Sequence, residues 1–130
     1  MKALPPARRL LPFYLILAAL QGCSSSDKPV DGAAAFQKCA SCHQVGAHAQ
    51  GGFGPQLNGL FGRRAGSTPD YAYSAAMKTS NIVWNEQTLA AFLRDPDKVV
   101  PDTKMRFWGI GNERELKALL AHLRTFQDVR

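Results

Sequence analysis

From Val45 to Asp70 the chain is dense in glycine and proline and keeps no sustained helical or strand period. That pattern predicts one long loop. Structureless loops of this length are uncommon in compact domains unless they serve something. A large prosthetic group for the loop to wrap would satisfy that condition. With 130 residues the chain suffices for one domain and is too short for two comfortable cores. So much loop leaves a thin apolar core for its size.

Helix signals lie on either side of the loop. Asp31 to Cys42 is alanine-rich, with Phe36 and Cys39 spaced for one helical face. Asn85 is placed to cap a helix that turns Leu89, Phe92 and Leu93 inward, and Asp95-Pro96 is expected to stop it. Asn112 with Glu115 resembles a capping box, and Leu116, Leu119, Leu120 and Leu123 follow the stripe of an amphipathic helix. No segment alternates as a strand does. The expected class is all-α, a few short helices joined by long loops.

The N-terminus reads as an export signal over residues 1–22. Lys2, Arg8 and Arg9 precede the apolar stretch Leu10 to Leu20, which is interrupted by Pro12 and falls short of the roughly 20 residues of a membrane span. The stretch ends at Leu20-Gln21-Gly22-Cys23, which resembles a bacterial lipobox with an unusual Gln21. An ordinary cleaved signal beside a spare cysteine is the alternative. Residues 23–30 then form a lipidated anchor at Cys23 and a polar tether, and residues 31–130 form the folded domain. The formal charge of +6 includes the three cations of the signal, and without them 13 Lys+Arg face 10 Asp+Glu. No basic stripe with interleaved aromatics is present, so nucleic acid is not an expected partner.

Cys39-Ala40-Ser41-Cys42-His43 is a C-x-x-C-H sequence, the signature of c-type haem attachment. Two cysteines three apart near a helix end reach the two vinyl groups of one haem, and the next residue falls under the iron. Imidazole suits iron as a proximal ligand. A thioredoxin-like C-x-x-C belongs in a βαβ setting, whereas here a helix precedes and a glycine-rich loop follows. A zinc site needs a second ligand pair, which His48 and His122 do not supply. The pair also leaves Cys23 as the one remaining cysteine, in keeping with its use as an anchor.

The stretch Phe53-Gly-Pro-Gln-Leu-Asn-Gly-Leu-Phe-Gly-Arg63 resembles the loop after the haem-binding histidine in mitochondrial-type class I cytochromes c. Tyr71-Ala-Tyr-Ser74, Ile82, Trp84, Pro101-Asp-Thr-Lys-Met-Arg-Phe107 and Gly109-Ile110 extend the resemblance in order and spacing from Gly32 to about Leu123. The resemblance implies the cytochrome c fold around one covalent haem c, with His43 and Met105 as axial ligands. It implies that the Pro55 carbonyl accepts the ring N–H of His43, and that Arg63, Tyr73 and Trp84 hydrogen-bond the haem propionates. Thr103 and Phe107 would flank the haem beside Met105. Phe36 and Leu119 would mark the crossing of the first and last helices, with Gly32 permitting close approach. Phe92 and Met77 depart from the family's usual tyrosine and asparagine, which implies a drier distal pocket. His48 is expected in solvent, and His122 in packing or at the surface.

Ligation at both axial positions leaves no open site for substrate, and a thioether ligand favours ferrous iron. The expected function is therefore a single-electron carrier and not an enzyme, tethered on the periplasmic side of a bacterial membrane. It would shuttle between redox protein donors and acceptors. Lys38, Lys98, Lys104 and Arg106 would steer an acidic docking surface. A haem-based small-molecule sensor or peroxidase-like protein, and an electron-entry subunit of a larger oxidoreductase, are the alternatives.

Overall fold

The computed structural model describes residues 28–129, so the expected export signal and the anchor at Cys23 lie outside the described residues. The elements are α1 (Gly32–Phe36), α2 (Ala75–Thr79), α3 (Glu86–Arg94), α4 (Pro96–Val99) and α5 (Glu113–Arg124). Strand-like pairing among the described residues is limited to an isolated bridge between Arg64 and Val83. The all-α expectation holds, and the long loop runs as expected, without a helix between α1 and α2.

Each helix start is fixed by a side chain that accepts an otherwise unpaired backbone N–H. Asp31 accepts from Ala33 at 2.9 Å, and Ser74 accepts from Met77 at 3.1 Å, opening α2, which the sequence did not suggest. At α3 the box is reciprocal: Asn85 accepts from Thr88 N–H and Thr88 from Asn85 N–H, both at 2.9 Å. Asp95-Pro96 does end α3, but Pro96 also opens α4, since its missing N–H is not needed at a first helical position. At α5 the Asn112 side chain accepts from Arg114 and Glu115, whereas the Glu115 carboxylate meets Lys38 at 2.5 Å.

The core forms where α1 crosses α5. Phe36, Leu116, Leu119, Leu120 and Leu123 are buried there, and the His122 ring packs between Phe36 and Phe126, with centroids 5.6 and 5.2 Å away. His48 is exposed, as expected. Gly32 sets the helix separation: a Cβ on it would stand 2.3 Å from the Ala118 carbonyl oxygen and 2.7 Å from His122 Cβ. Backbone and side-chain hydrogen bonds hold the loop where helices cannot. Asn58 both accepts from Gly46 N–H and donates to its carbonyl, at 2.9 and 2.8 Å. The Gln127 side chain does the same for Phe61, at 3.1 and 2.7 Å, tying the end of the domain to the loop.

Gly32→Val should push α1 off α5 and destabilise the domain by about 1–3 kcal/mol, the usual cost of overpacking. A fall in the denaturation midpoint of the haem-loaded protein measures it, and an unchanged midpoint would contradict this account of the crossing.

Candidate cofactor site

The core does not close on itself. A cavity of about 770 Å³ of empty space, its mouth included, opens between the helices and the long loop. Leu89, Phe92 and Leu93 of α3 and Leu119 and Leu123 of α5 belong both to the core and to its wall. Met77 and Phe92 face it too, and neither donates a hydrogen bond from its side chain. This fits the drier pocket expected from the two substitutions.

Turns continue from α1 through the attachment motif, with Cys39 N–H donating to Phe36 O at 2.8 Å and His43 N–H to Cys39 O at 2.9 Å. They bring Cys39 and His43 into the cavity wall. Burial pushes the Cys39 thiol above its ordinary value against the opposing charge of Lys38. His43 Nδ1 lies 2.8 Å from the Pro55 carbonyl oxygen, so Nδ1–H is the donor and Nε2 is left with its lone pair. Burial also pushes the imidazole below its ordinary value; the Pro55 bond opposes this and the Arg63 charge adds to it. The ring is thereby held neutral, the state a metal ligand requires. Gly54 makes room for it, since a Cβ there would stand 2.5 Å from His43 Cε1.

Arg63 donates from its two terminal nitrogens to the carbonyls of Asn58 and Gln56, at 2.9 and 3.0 Å. Burial pushes its guanidinium down, with Tyr73 and Asp70 opposing. It makes no ion pair among the described residues. Tyr73 lies on the same cavity and pairs its hydroxyl with Thr68 Oγ1 at 2.7 Å. Trp84 is 6% exposed and lines the cavity, yet no protein acceptor meets its indole N–H among the described residues. Thr103 is buried, and its Oγ1 accepts from Met105 N–H at 3.3 Å, fixing the loop that carries Met105 to the wall.

Cys39, His43, Pro55, Arg63, Tyr73, Trp84, Thr103 and Met105 therefore share one cavity. Two expected residues stand apart from it. Cys42 is exposed, and Phe107 is half-buried against the core and not in the wall. Gly54 and Thr68 were not singled out in the sequence; Gly54 lay inside the recognised loop motif, and Thr68 carries no local signal.

These features fit a haem. The cavity is apolar and lined by leucines, and its wall also holds a thiol, a free imidazole nitrogen and a thioether. It also holds a half-buried cation without a carboxylate partner and an indole N–H without an acceptor, which suit anionic propionates. An all-α domain whose loop wraps such a cavity beside a C-x-x-C-H segment is a c-type haem protein. Residues 29–127 match the cytochrome c family, and the chain belongs to it. It is 45% identical over 95 residues to cytochrome c-550 of Bradyrhizobium diazoefficiens, covering 73% of this chain and 70% of that one. It is 37% identical over 119 residues to cytochrome c2 of Blastochloris viridis, covering 92% and 94%. Among solved structures, cytochrome cH from Methylobacterium extorquens superposes with a TM-score of 0.68 at 39% identity, covering 72% of this chain and 94% of that one. The chain thus carries one covalent haem c and works as an electron carrier between redox partners, not as an enzyme.

Gly54→Ala should displace the His43 ring, lower the yield of haem-loaded protein and alter its visible spectrum. Gly52→Ala, where a Cβ meets nothing within 4 Å, should be silent. Equal behaviour of the two variants would remove Gly54 from the site.

Proposed function

We propose that Cys39 and Cys42 bond the haem vinyl groups, that His43 and Met105 are the axial ligands, and that the protein exchanges single electrons with both iron positions closed. The observation that carries this reading is the shared cavity, with His43 oriented by Pro55 and Met105 in the same wall. When bound, the haem supplies a one-electron couple, and a thioether ligand favours its ferrous form. The chain's own residues do the rest. Pro55 holds the imidazole in the tautomer that leaves Nε2 free. Arg63, Tyr73 and Trp84 offer donors to the propionates, while Thr103 and Phe107 keep the Met105 loop packed.

The reading extends to location and partners. A signal over residues 1–22, diacylation of Cys23 and a tether to residue 30 would hold the domain (31–130) on the periplasmic side of a membrane. No helix among the described residues is long and apolar enough to cross a membrane. The partners are redox proteins, and the surface that meets them is acidic. Of the four cations expected to steer them, Lys38 is engaged with Glu115, and Arg106 lies 3.5 Å from Asp97 in an exposed pair. Lys104 donates to the Ala72 carbonyl. The exposed Arg106–Asp97 pair is weak and can give way to a partner's carboxylates.

Two tests separate these claims. The reduced protein should resist carbon monoxide at neutral pH, and Met105→Ala should bind it and show a lower reduction potential. Rapid carbon monoxide binding by the unaltered protein would overturn the closed site and favour a small-molecule sensor. Mass spectrometry of the native N-terminus should find a diacylated Cys23, and Cys23→Ala should abolish lipid labelling while haem attachment persists. An unmodified chain that starts beyond Cys23 would overturn the anchor alone.

A further inference from the structure

The loop that carries Met105 also carries the most exposed large hydrophobic side chain among the described residues. Trp108 is 104% exposed, more than Phe53 at 88% and Val83 at 50%. Single exposed apolar residues are ordinary, and two further observations distinguish this one. First, Trp108 is exposed but held. Phe107 before it packs against the core, and Ile110 after it is buried, with its N–H bonded to the Leu93 carbonyl at 2.9 Å. Gly109 between them sits at φ +88°, where a Cβ would stand 2.0 Å from the Arg94 carbonyl oxygen. The turn is thus clamped to the end of α3, so the backbone that presents the indole has little freedom to lose. Second, its own loop carries cations, of which Arg106 is held only in an exposed pair, 3.5 Å from Asp97. From Thr103 to Asn112 the chain holds Lys104 and Arg106 and no acid.

We infer that Trp108 is the apolar anchor of the docking surface, seated in an apolar notch rimmed by carboxylates on a redox protein partner. The inference rests on the electron-carrier reading proposed above. An aromatic with two side-chain torsions loses little entropy when buried, and tryptophan is enriched among the residues that dominate interfaces, with flanking charges guiding encounter. Its place three residues after Met105 puts the anchor on the loop that bears the proposed iron ligand. A lipid surface is less suited to that place, because it would cover the same loop and exclude the partner.

The test uses the haem-loaded full chain, reduced, with membranes of the source organism as electron acceptor, and reads the half-saturating concentration and maximal rate at several salt concentrations. Trp108→Ala should raise the half-saturating concentration by about tenfold or more, with visible spectrum and midpoint potential unchanged. That loss should persist at high salt, where Lys104→Glu loses its effect. Trp108→Phe should recover most of the affinity, and Val83→Ser should behave as the unaltered protein. A Trp108→Ala variant with normal half-saturation overturns the inference while leaving the carrier reading in place. So does Trp108-dependent binding to protein-free vesicles of phosphatidylglycerol and phosphatidylethanolamine, or a concentration-dependent dimer that Trp108→Ala abolishes. Failure of the unaltered protein to exchange electrons with the membranes at all overturns the carrier reading and the anchor with it.

Discussion

The side chains that hold α3 and α5 in the core are the side chains that face the cavity. Leu89, Phe92, Leu93, Leu119 and Leu123 serve both surfaces, so the helices have no complete apolar core until something apolar fills the space between them. That shared wall explains why so little regular structure suffices. A haem attached through thioethers remains part of the chain even when the domain is unfolded, so filling the core does not depend on recapturing a dissociated group. The same attachment starts from α1, whose seat on α5 depends on the absence of a side chain at Gly32.

The long loop solves a different problem. Its backbone groups need partners without a helix or a sheet to provide them. Asn58 and Gln127 each grip one residue of the loop by both its N–H and its carbonyl, and Arg63 gathers two more carbonyls. Arg63 therefore has two tasks. Its bonds to Gln56 and Asn58 shape the loop, and its charge, little offset by nearby acids, prepares the cavity for an anion. Removing it would disturb the wrapping and the electrostatics together, which is why its effect on one cannot be separated from the other by a single deletion.

Much of this was legible in the sequence where a residue's chemistry is local. Asn85 caps α3 because a side-chain oxygen at that place meets an N–H three residues on, whatever the tertiary structure. The leucine stripe of α5 and the C-x-x-C-H segment are equally local. Legibility failed where a distant partner competed. Glu115 was expected to complete a box with Asn112, but Lys38, brought alongside by the helix crossing, takes its carboxylate. Lys38, expected among the charges that steer a partner, is engaged by the same contact. Pro96 signals the end of one helix and the start of the next with the same missing N–H, and only the following residues decide between them. α2 is five residues long, too short for a period to show, and rests on the Ser74 cap. Phe107 carries no local signal of its packing, and the structure sets it half-buried against the core, beside the loop that bears Met105.

Steadiness of that loop bears directly on electron exchange. A carrier gains from keeping the same ligands in both redox states, because every atom that must move with the electron adds to the barrier. Thr103 is buried and bonded to Met105 N–H, and Ile110 is bonded to the end of α3. Between these two fixed points the chain carries Met105, Arg106 and Trp108 in succession, so one clamped segment holds the proposed ligand, a charge and the proposed apolar contact. The charge and the indole face solvent, whereas Met105 faces the cavity. A partner that binds the outer side of such a segment need not loosen its inner side, since the clamps lie at the segment's ends. Docking and ligation can therefore occupy adjacent residues without competing, which a flexible loop of the same composition would not allow.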